Sequence, residues 1–391
     1  MLYLDHNATA PLHPAARAAW LKAAEGHWHN PSSLSAAATL AREALEDARE
    51  RVGELLGCDS QRIIFTGSAT AGANAIAREL GRQSPLGRAA VTALEHPCVS
   101  ESFGEAFRGR LVELPVAVTG RIDLEEAQAV IPQDGTTAVV SLLAASNETG
   151  VLQPWQELRA WCCDRQIPFH TDATQWLGRL PAAALGGCDY ITGSGHKVGG
   201  PKGVGFLVVP EGAADFRGDR GGPQERGHWA GTENLPGVLA MVAALETVAS
   251  GSGDFAGSGV RARAQWRDQA ETLIAAALPG VIVLGQGVER LWNTLAILVP
   301  DQDGRRLVAR LERRGVIAST GAACSSGSEA TARTVAAIGP ERLGLAAEQP
   351  WGMLRLSAAW ETRQEDWVRA AAAVVEAVQE TTPPPRISLR P

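Results

Sequence analysis

Apolar residues recur along this chain in two rhythms. Leu34, Ala37, Ala38, Ala41, Leu45, Ala48, Val52 and Leu55 fall at helical spacing, and Gly57 stops the run. Shorter, continuously apolar runs occupy 62–66, 89–94, 137–143, 167–172, 189–192 and 204–209. Runs of that length, without polar alternation, predict strands buried on both faces. Helical stretches at 99–107, 124–129 and 155–165 separate most of them, which predicts an α/β fold with a mostly parallel sheet between helices. Before this region, 3–10 begins as a strand and breaks at Asp5-His6-Asn7, and 14–25 is helical. After it come a helix at 235–248 and the Gly/Ser-rich stretch 250–258, the best linker in the chain. Beyond the linker, helices at 261–277 and 305–314 and strands at 281–285, 293–299 and 353–357 predict a second, smaller α/β unit. A loop of small residues, 318–328, carries Cys324 at its middle, and the Pro-rich tail from Thr381 is expected to pack loosely.

Composition narrows the function. A length of 391 residues suits two domains, and 45% hydrophobic content suffices for a large core. The net charge of −7, with no basic run, argues against nucleic-acid binding. No apolar run reaches the length of a membrane span. The opening MLYLDHNATAP has neither a charged nor an apolar leader region, so a cytoplasmic location is expected. Six cysteines (Cys58, Cys98, Cys162, Cys163, Cys188 and Cys324) form no CxxC pair and are too sparse for a disulfide framework. The adjacent Cys162 and Cys163 are expected to be packed in a helix. No metal site is expected.

The candidate chemistry falls at strand ends, where open α/β sheets bind ligands. Glu95-His96, Ser146-Asn147-Glu148, Asp172 with Gln175, and His196-Lys197 each follow a predicted strand. The run 62–66 feeds Gly67-Ser68-Ala69-Thr70 and then a helix, so N–H groups and a positive helix end converge as in an anion site; an ordinary capped helix has the same local signature. Neither GxxxxGK[ST] nor a GxGxxG after a first strand is present. The chain has 33 arginines but only three lysines, Lys22, Lys197 and Lys202. A lysine that survives this bias points to chemistry that arginine cannot perform, such as Schiff-base formation. Lys197, in a glycine-rich turn beside Ser194 and His196, is a candidate to hold pyridoxal phosphate as an internal aldimine. A surface lysine in a flexible loop fits the same stretch.

Ten motifs taken together resemble the class V, fold-type I pyridoxal-phosphate enzymes, and among them the cysteine desulfurases of the NifS and IscS kind. In order they are YLDHNATAP, HNPSS, ATAGAN, EHPCV, SNETGVLQP, FHTDATQ, SGHKVGGPKG, GTENLPG, GAACSS and LRLS. The resemblance implies a large cofactor domain at 16–250 with a seven-stranded sheet. It also implies a small C-terminal domain at 251–391 carrying the catalytic cysteine loop, and a segment 1–15 that packs with the small domain. It implies that Lys197 binds the cofactor and moves protons, that Asp172 pairs with the pyridine nitrogen, and that His96 stacks on the ring. Gln175 is implied as donor to the phenolic oxygen; Ala69, Thr70, Ser194 and His196 as phosphate ligands; and Thr232 as a contact to the phosphate of a neighbouring subunit in a homodimer. Asn147 and Arg355 are implied for the substrate carboxylate, where a planar guanidinium gives bidentate geometry. Cys324 is implied as the thiolate that takes sulfur from L-cysteine, leaving alanine and a persulfide for an acceptor or iron–sulfur scaffold protein.

Three features depart from the pattern. Gly67-Ser68 reverses the common order, His6 stands where Tyr or Asn is common, and Trp176 stands where a small serine is usual. The indole is expected either to narrow the pocket or to pack. The rival readings are another class V enzyme, an aminotransferase or selenocysteine lyase, and a non-catalytic sulfur scaffold.

Overall fold

A computed structural model describes residues 1–249, 258–321, 332–346 and 350–380. Its strands are β1 (Leu2–Tyr3), β2 (Ile63–Thr66), β3 (Arg88–Thr92), β4 (Leu111–Leu114), β5 (Thr137–Ser141), β6 (Phe169–Asp172), β7 (Tyr190–Ser194), β8 (Gly205–Val208), β9 (Ile282–Val283), β10 (Thr294–Pro300), β11 (Val316–Ile317) and β12 (Trp351–Ser357). Its helices are α1 (Pro14–Gly26), α2 (Ala36–Leu56), α3 (Ala69–Gln83), α4 (Pro97–Ala106), α5 (Leu124–Val130), α6 (Trp155–Cys163), α7 (Leu235–Ala249), α8 (Ser258–Ala277), α9 (Gly304–Arg313), α10 (Arg333–Ile338) and α11 (Gln364–Gln379).

Seven strands form one sheet in the order β2-β8-β7-β6-β5-β3-β4. All neighbours pair in parallel except β8, which runs antiparallel to both β7 and β2. Side chains of a strand alternate between faces, and the alternation divides the core in two. Ile63, Phe65, Ala90, Val140, Phe206 and Val208 face the apolar stripe of α2 with α6 and α7. Ile64, Ala89, Val91, Val139 and Leu207 face α3 and α4. Both faces are dry, which is why these strands read as unbroken apolar runs. Gly57 ends α2 at φ 71°, a left-handed cap that costs glycine little.

The second core lies on β9, β10 and β12. Leu295, Ile297, Leu354 and Leu356 pack on α8, α9 and α11. The first residues of the chain join this unit: β1 pairs with β11 in parallel, and Asp5 bridges Ser357. The chain then turns back toward the seven-stranded sheet at Asn7. No described helix is long and apolar enough to cross a membrane.

The structure moves several sequence boundaries and adds elements. β4 and β11 were not expected from the pattern, and neither were α10 and α11. Of the cysteine pair, Cys162 is buried and Cys163 is exposed at the last turn of α6, so only the first is packed as expected. Of the linker 250–258, all but Ser258, which opens α8, falls outside the described residues, as do 322–328 of the loop that holds Cys324 and the tail from Thr381.

Candidate active site

The polar residues that follow the parallel strands converge on one cavity of about 900 Å³. β2 delivers the first group. Ser68 caps α3 by accepting from the Ala71 N–H at 3.1 Å, so Ala69 and Thr70 form the first turn and line the cavity. The reversed Gly67-Ser68 order thus keeps a serine at the cap. A Cβ on Gly205 would stand 2.6 Å from the Gly193 carbonyl and 2.9 Å from the Ser68 backbone carbon. Glycine there lets the turn before α3 lie directly on β8 and β7.

β3 and β5 supply His96 and Asn147; β6 and β7 supply Asp172 with Gln175, and Ser194 with His196 and Lys197. His96 caps α4, and its Nδ1 accepts from the Cys98 N–H at 3.2 Å, which leaves the proton on Nε2. Burial first, then the positive charges of Lys197 and Arg333, hold its pKa below the usual value, against an opposing pull from Asp172. Burial likewise brings His196, whose Nδ1 lies 3.1 Å from the Thr9 hydroxyl, down to about 4. Asp172 is buried, and one carboxylate oxygen accepts from the Thr174 N–H at 2.9 Å.

Lys197 Nζ donates to the carbonyls of Asn7 and Ala8, both at 2.7 Å. Gln175 donates through Nε2 to the same Asn7 carbonyl at 3.1 Å, and its Oε1 has no partner. The Nε2 amide carries two hydrogens, so one donor remains beside the bond to Asn7. From β12, Arg355 is 2% exposed and donates to Asp5 at 2.6 Å and to the Asn147 carbonyl at 3.0 Å, while its Nε has no hydrogen-bond partner. A substrate carboxylate at this guanidinium would compete with Asp5. Thr232 is exposed and does not line the cavity of its own chain. Cys324 lies outside the described residues; Gly321, three positions before it, lines the cavity.

Trp176 points away from the cavity. It meets Trp155 edge-on at 5.4 Å and donates to the Pro181 carbonyl at 2.8 Å, so the indole packs rather than narrows. His6 is buried 3.4 Å from Glu361, outside the cavity.

Several cavity residues were missed in the sequence. Asn7 is the largest omission: its side chain takes hydrogen bonds from Asn293 and gives them to Thr294 and the Asn147 carbonyl. Arg333 reaches from α10 to the Ser100 hydroxyl at 2.7 Å, and Glu148 accepts from the N–H groups of Arg333 and Thr334. These contacts tie the two cores together across the cavity. The YLDHNATAP motif flagged Asn7 as a segment, but no local pattern marks Arg333.

Comparison with known proteins agrees with this geometry. Residues 2–368 match the family model described as aminotransferase class-V. A cysteine desulfurase of Trichormus azollae is 34% identical over 345 residues, covering 87% of this chain and 84% of the relative. The cysteine desulfurase NifS of Azotobacter vinelandii is 36% identical over 332 residues, covering 84% of this chain and 81% of the relative. A solved NifS-like protein of Rickettsia africae superposes with a TM-score of 0.81 at 25% identity, covering 96% of this chain and 99% of that one. With the matching order of strand-end residues around one cavity, the chain belongs to the class-V aminotransferase family of fold-type I pyridoxal-phosphate enzymes, in its cysteine desulfurase branch.

Proposed function

We propose that this chain is a pyridoxal-phosphate-dependent cysteine desulfurase that converts L-cysteine to L-alanine and stores the sulfur on Cys324. The observation that carries this reading is the meeting of Lys197, Asp172 and His96 with the first turn of α3 in one cavity.

The residues present fit the cofactor. An amine, a buried carboxylate and a helix N-terminus flanked by Thr70, Ser194 and His196 suit an aldehyde, a pyridine nitrogen and a phosphate. The buried Thr174 Oγ1 and Gln175 Oε1 lack partners, which leaves polar capacity at the cavity for a bound group. Bound there, pyridoxal phosphate supplies an electron sink for the substrate α-carbon. Lys197 holds it and carries protons to and from the substrate carbons. Asp172 keeps a negative charge at the ring nitrogen. His96, neutral and protonated on Nε2, offers a face for stacking and a donor for proton transfer. Arg355 and Asn147 orient the substrate carboxylate. Thr232 serves the cavity of a partner copy in a homodimer, a role that suits its exposure away from its own.

The Cys324 thiolate attacks the substrate sulfur. The sulfur–sulfur bond forms as the carbon–sulfur bond breaks; the carbon keeps the electron pair and takes a proton, giving alanine. The persulfide then passes to an acceptor for iron–sulfur cluster assembly or thiolation. Segments 1–15, 16–250 and 251–391 are proposed as the N-terminal arm, cofactor domain and small domain.

Incubation with L-cysteine and a thiol reductant tests the reading. Alanine and sulfide should appear in equal amounts without a keto acid. A strict keto-acid requirement would identify an aminotransferase instead, and turnover confined to selenocysteine would identify a lyase.

A further inference from the structure

Behind the cavity lies a carboxyl group that the proposed mechanism does not use. Glu95 follows β3, is fully buried, and does not line the cavity. Of the other buried carboxylates among the described residues, Asp172 accepts the Thr174 N–H and three are compensated more fully. Glu225 pairs with Arg49, Glu79 with Arg82, and Glu148 accepts two N–H groups of α10. Glu95 Oε1 accepts from the Ser141 hydroxyl at 2.9 Å, and Oε2 has no hydrogen-bond partner. The charge that acts on it is that of Asp172, of the same sign.

Ser141 is shared. Its hydroxyl also lies 2.8 Å from His170 Nδ1, and His170 Nε2 lies 3.3 Å from the Thr192 hydroxyl. His170 and Asp172 are two residues apart on β6, so their side chains leave the strand on the same face. A buried row Glu95–Ser141–His170–Thr192 therefore runs across β5, β6 and β7 beside Asp172.

We propose that Glu95 is carried as a neutral carboxylic acid and acts as a positioning residue, closing this row while leaving Asp172 as the negative charge at that end of the cavity. The idea rests on the reading that Asp172 meets a pyridine nitrogen. Physical chemistry supports it. A buried carboxylate without a cation, beside another carboxylate, gives up its charge by taking a proton. Burial first and Asp172 second lift Glu95 to about 8, against smaller opposing effects of Ser141 and the Leu143 N–H. The surrounding titratable groups are Asp172 and His170 on β6 and Cys98 on α4. Burial holds His170 neutral, at about 4, and raises the Cys98 thiol. None of them offers Glu95 a positive charge near neutral pH.

The row has two hydrogen-bond directions. With Glu95 neutral, its O–H can donate to Ser141, which then donates to His170 Nδ1. With Glu95 ionised, Ser141 must donate to Glu95 and His170 must carry its proton on Nδ1. Ionisation thus reverses the row, flips the histidine tautomer and puts a second negative charge beside Asp172.

Infrared difference spectroscopy on the protein with carbon-13-labelled glutamate, without cofactor, tests the charge state. At pH 7 a buried carboxylic-acid stretch should be present, should bleach as pH rises through about 8, and should be missing in Glu95→Gln. Its absence from the native protein at pH 7 overturns the proposal, whether or not the variant folds. On the cofactor-loaded protein, the visible band of the native chain should shift over the same pH range, and that of Glu95→Gln should not. A pH-dependent shift that persists unchanged in the variant overturns the positioning role. Failure of both proteins to take up pyridoxal phosphate, with the infrared band intact, would instead overturn the proposed function.

Discussion

Lys197 Nζ donates to the main-chain carbonyl of Asn7 at 2.7 Å, across 190 residues of sequence. The amine that defines the cavity is aimed by backbone from the chain's first strand segment. A main-chain carbonyl orients the amine and releases it without a change of charge. Borohydride treatment after addition of pyridoxal phosphate should fix the cofactor's mass to the peptide holding Lys197. Lys202→Ala should retain the label and Lys197→Ala should lose it. A label that follows Lys202 would displace Lys197 from its role.

Arg355 is held by Asp5 and the Asn147 carbonyl before any substrate arrives. Hydrogen bonds to charged groups contribute about 1.5–3 kcal/mol. Arg355→Lys, which loses the planar fork, should therefore raise KM for cysteine by about 10- to 100-fold. Steady-state kinetics at fixed pH measure this, and an unchanged KM would place the substrate carboxylate elsewhere.

Replacing Cys324 by serine should end alanine production and leave the cofactor's visible absorption in place. Full alanine formation by the variant would remove this thiol from the reaction.

Stability rests partly on an ion pair far from the chemistry. Arg49 and Glu225 are both buried, 2.7 Å apart, and Glu225 also accepts from the Phe65 N–H of β2 at 3.0 Å. Glu225→Ala removes the buried partner of Arg49, leaves it Glu46 and the Ile63 carbonyl, and should cost about 3 kcal/mol in denaturant unfolding. A loss below about 1 kcal/mol would mean that solvent reaches the pair.

Stability should also peak near pH 6.5. Burial brings His6, His170 and His196 to about 4 from 6.5, so the unfolded chain binds more protons between those values. Their contribution is complete above 6.5 and is lost as pH falls toward 4; the fully buried His170 alone accounts for about 3 kcal/mol. Glu95 has the opposite sign: raised from 4.5 to about 8, its contribution is complete below 4.5 and is lost as pH rises toward 8. Three groups outweigh one up to 6.5, and Glu95 dominates above it. The Tm of the cofactor-free protein should follow this curve, and Glu95→Gln should flatten its alkaline side. A flat curve over the whole window would contradict the buried charge states.

What could be read from the sequence divides along physical lines. Strands β2, β3, β5, β6, β7 and β8 are buried on both faces and announce themselves as apolar runs. The edge strand β4 is half-solvated, with Leu111 exposed, and carries no such signal. β11 has two residues and exists only because β1 pairs with it. α11 carries the helical period in its sequence: Trp367, Ala370, Ala371, Val374 and Ala377 mark one buried stripe. In the site, residues acting through side chains at strand ends were found by position. Asn7 and Ala8 act on Lys197 through carbonyls, which every residue has, and Arg333 acts across a distance of 233 residues. Neither leaves a local pattern.

The arm formed by β1 and Asn7 has its partners at Val316, Ile317 and Ser357. During synthesis, residues 1–7 therefore emerge hundreds of residues ahead of the strands that receive them. The seven-stranded sheet can condense early, while the carbonyls that steer Lys197 reach their place only after β12 has left the ribosome. Assembly of the cavity is thus a late event in the life of the nascent chain, and a nascent chain that stops short of Ser357 would possess Lys197 without the means to aim it.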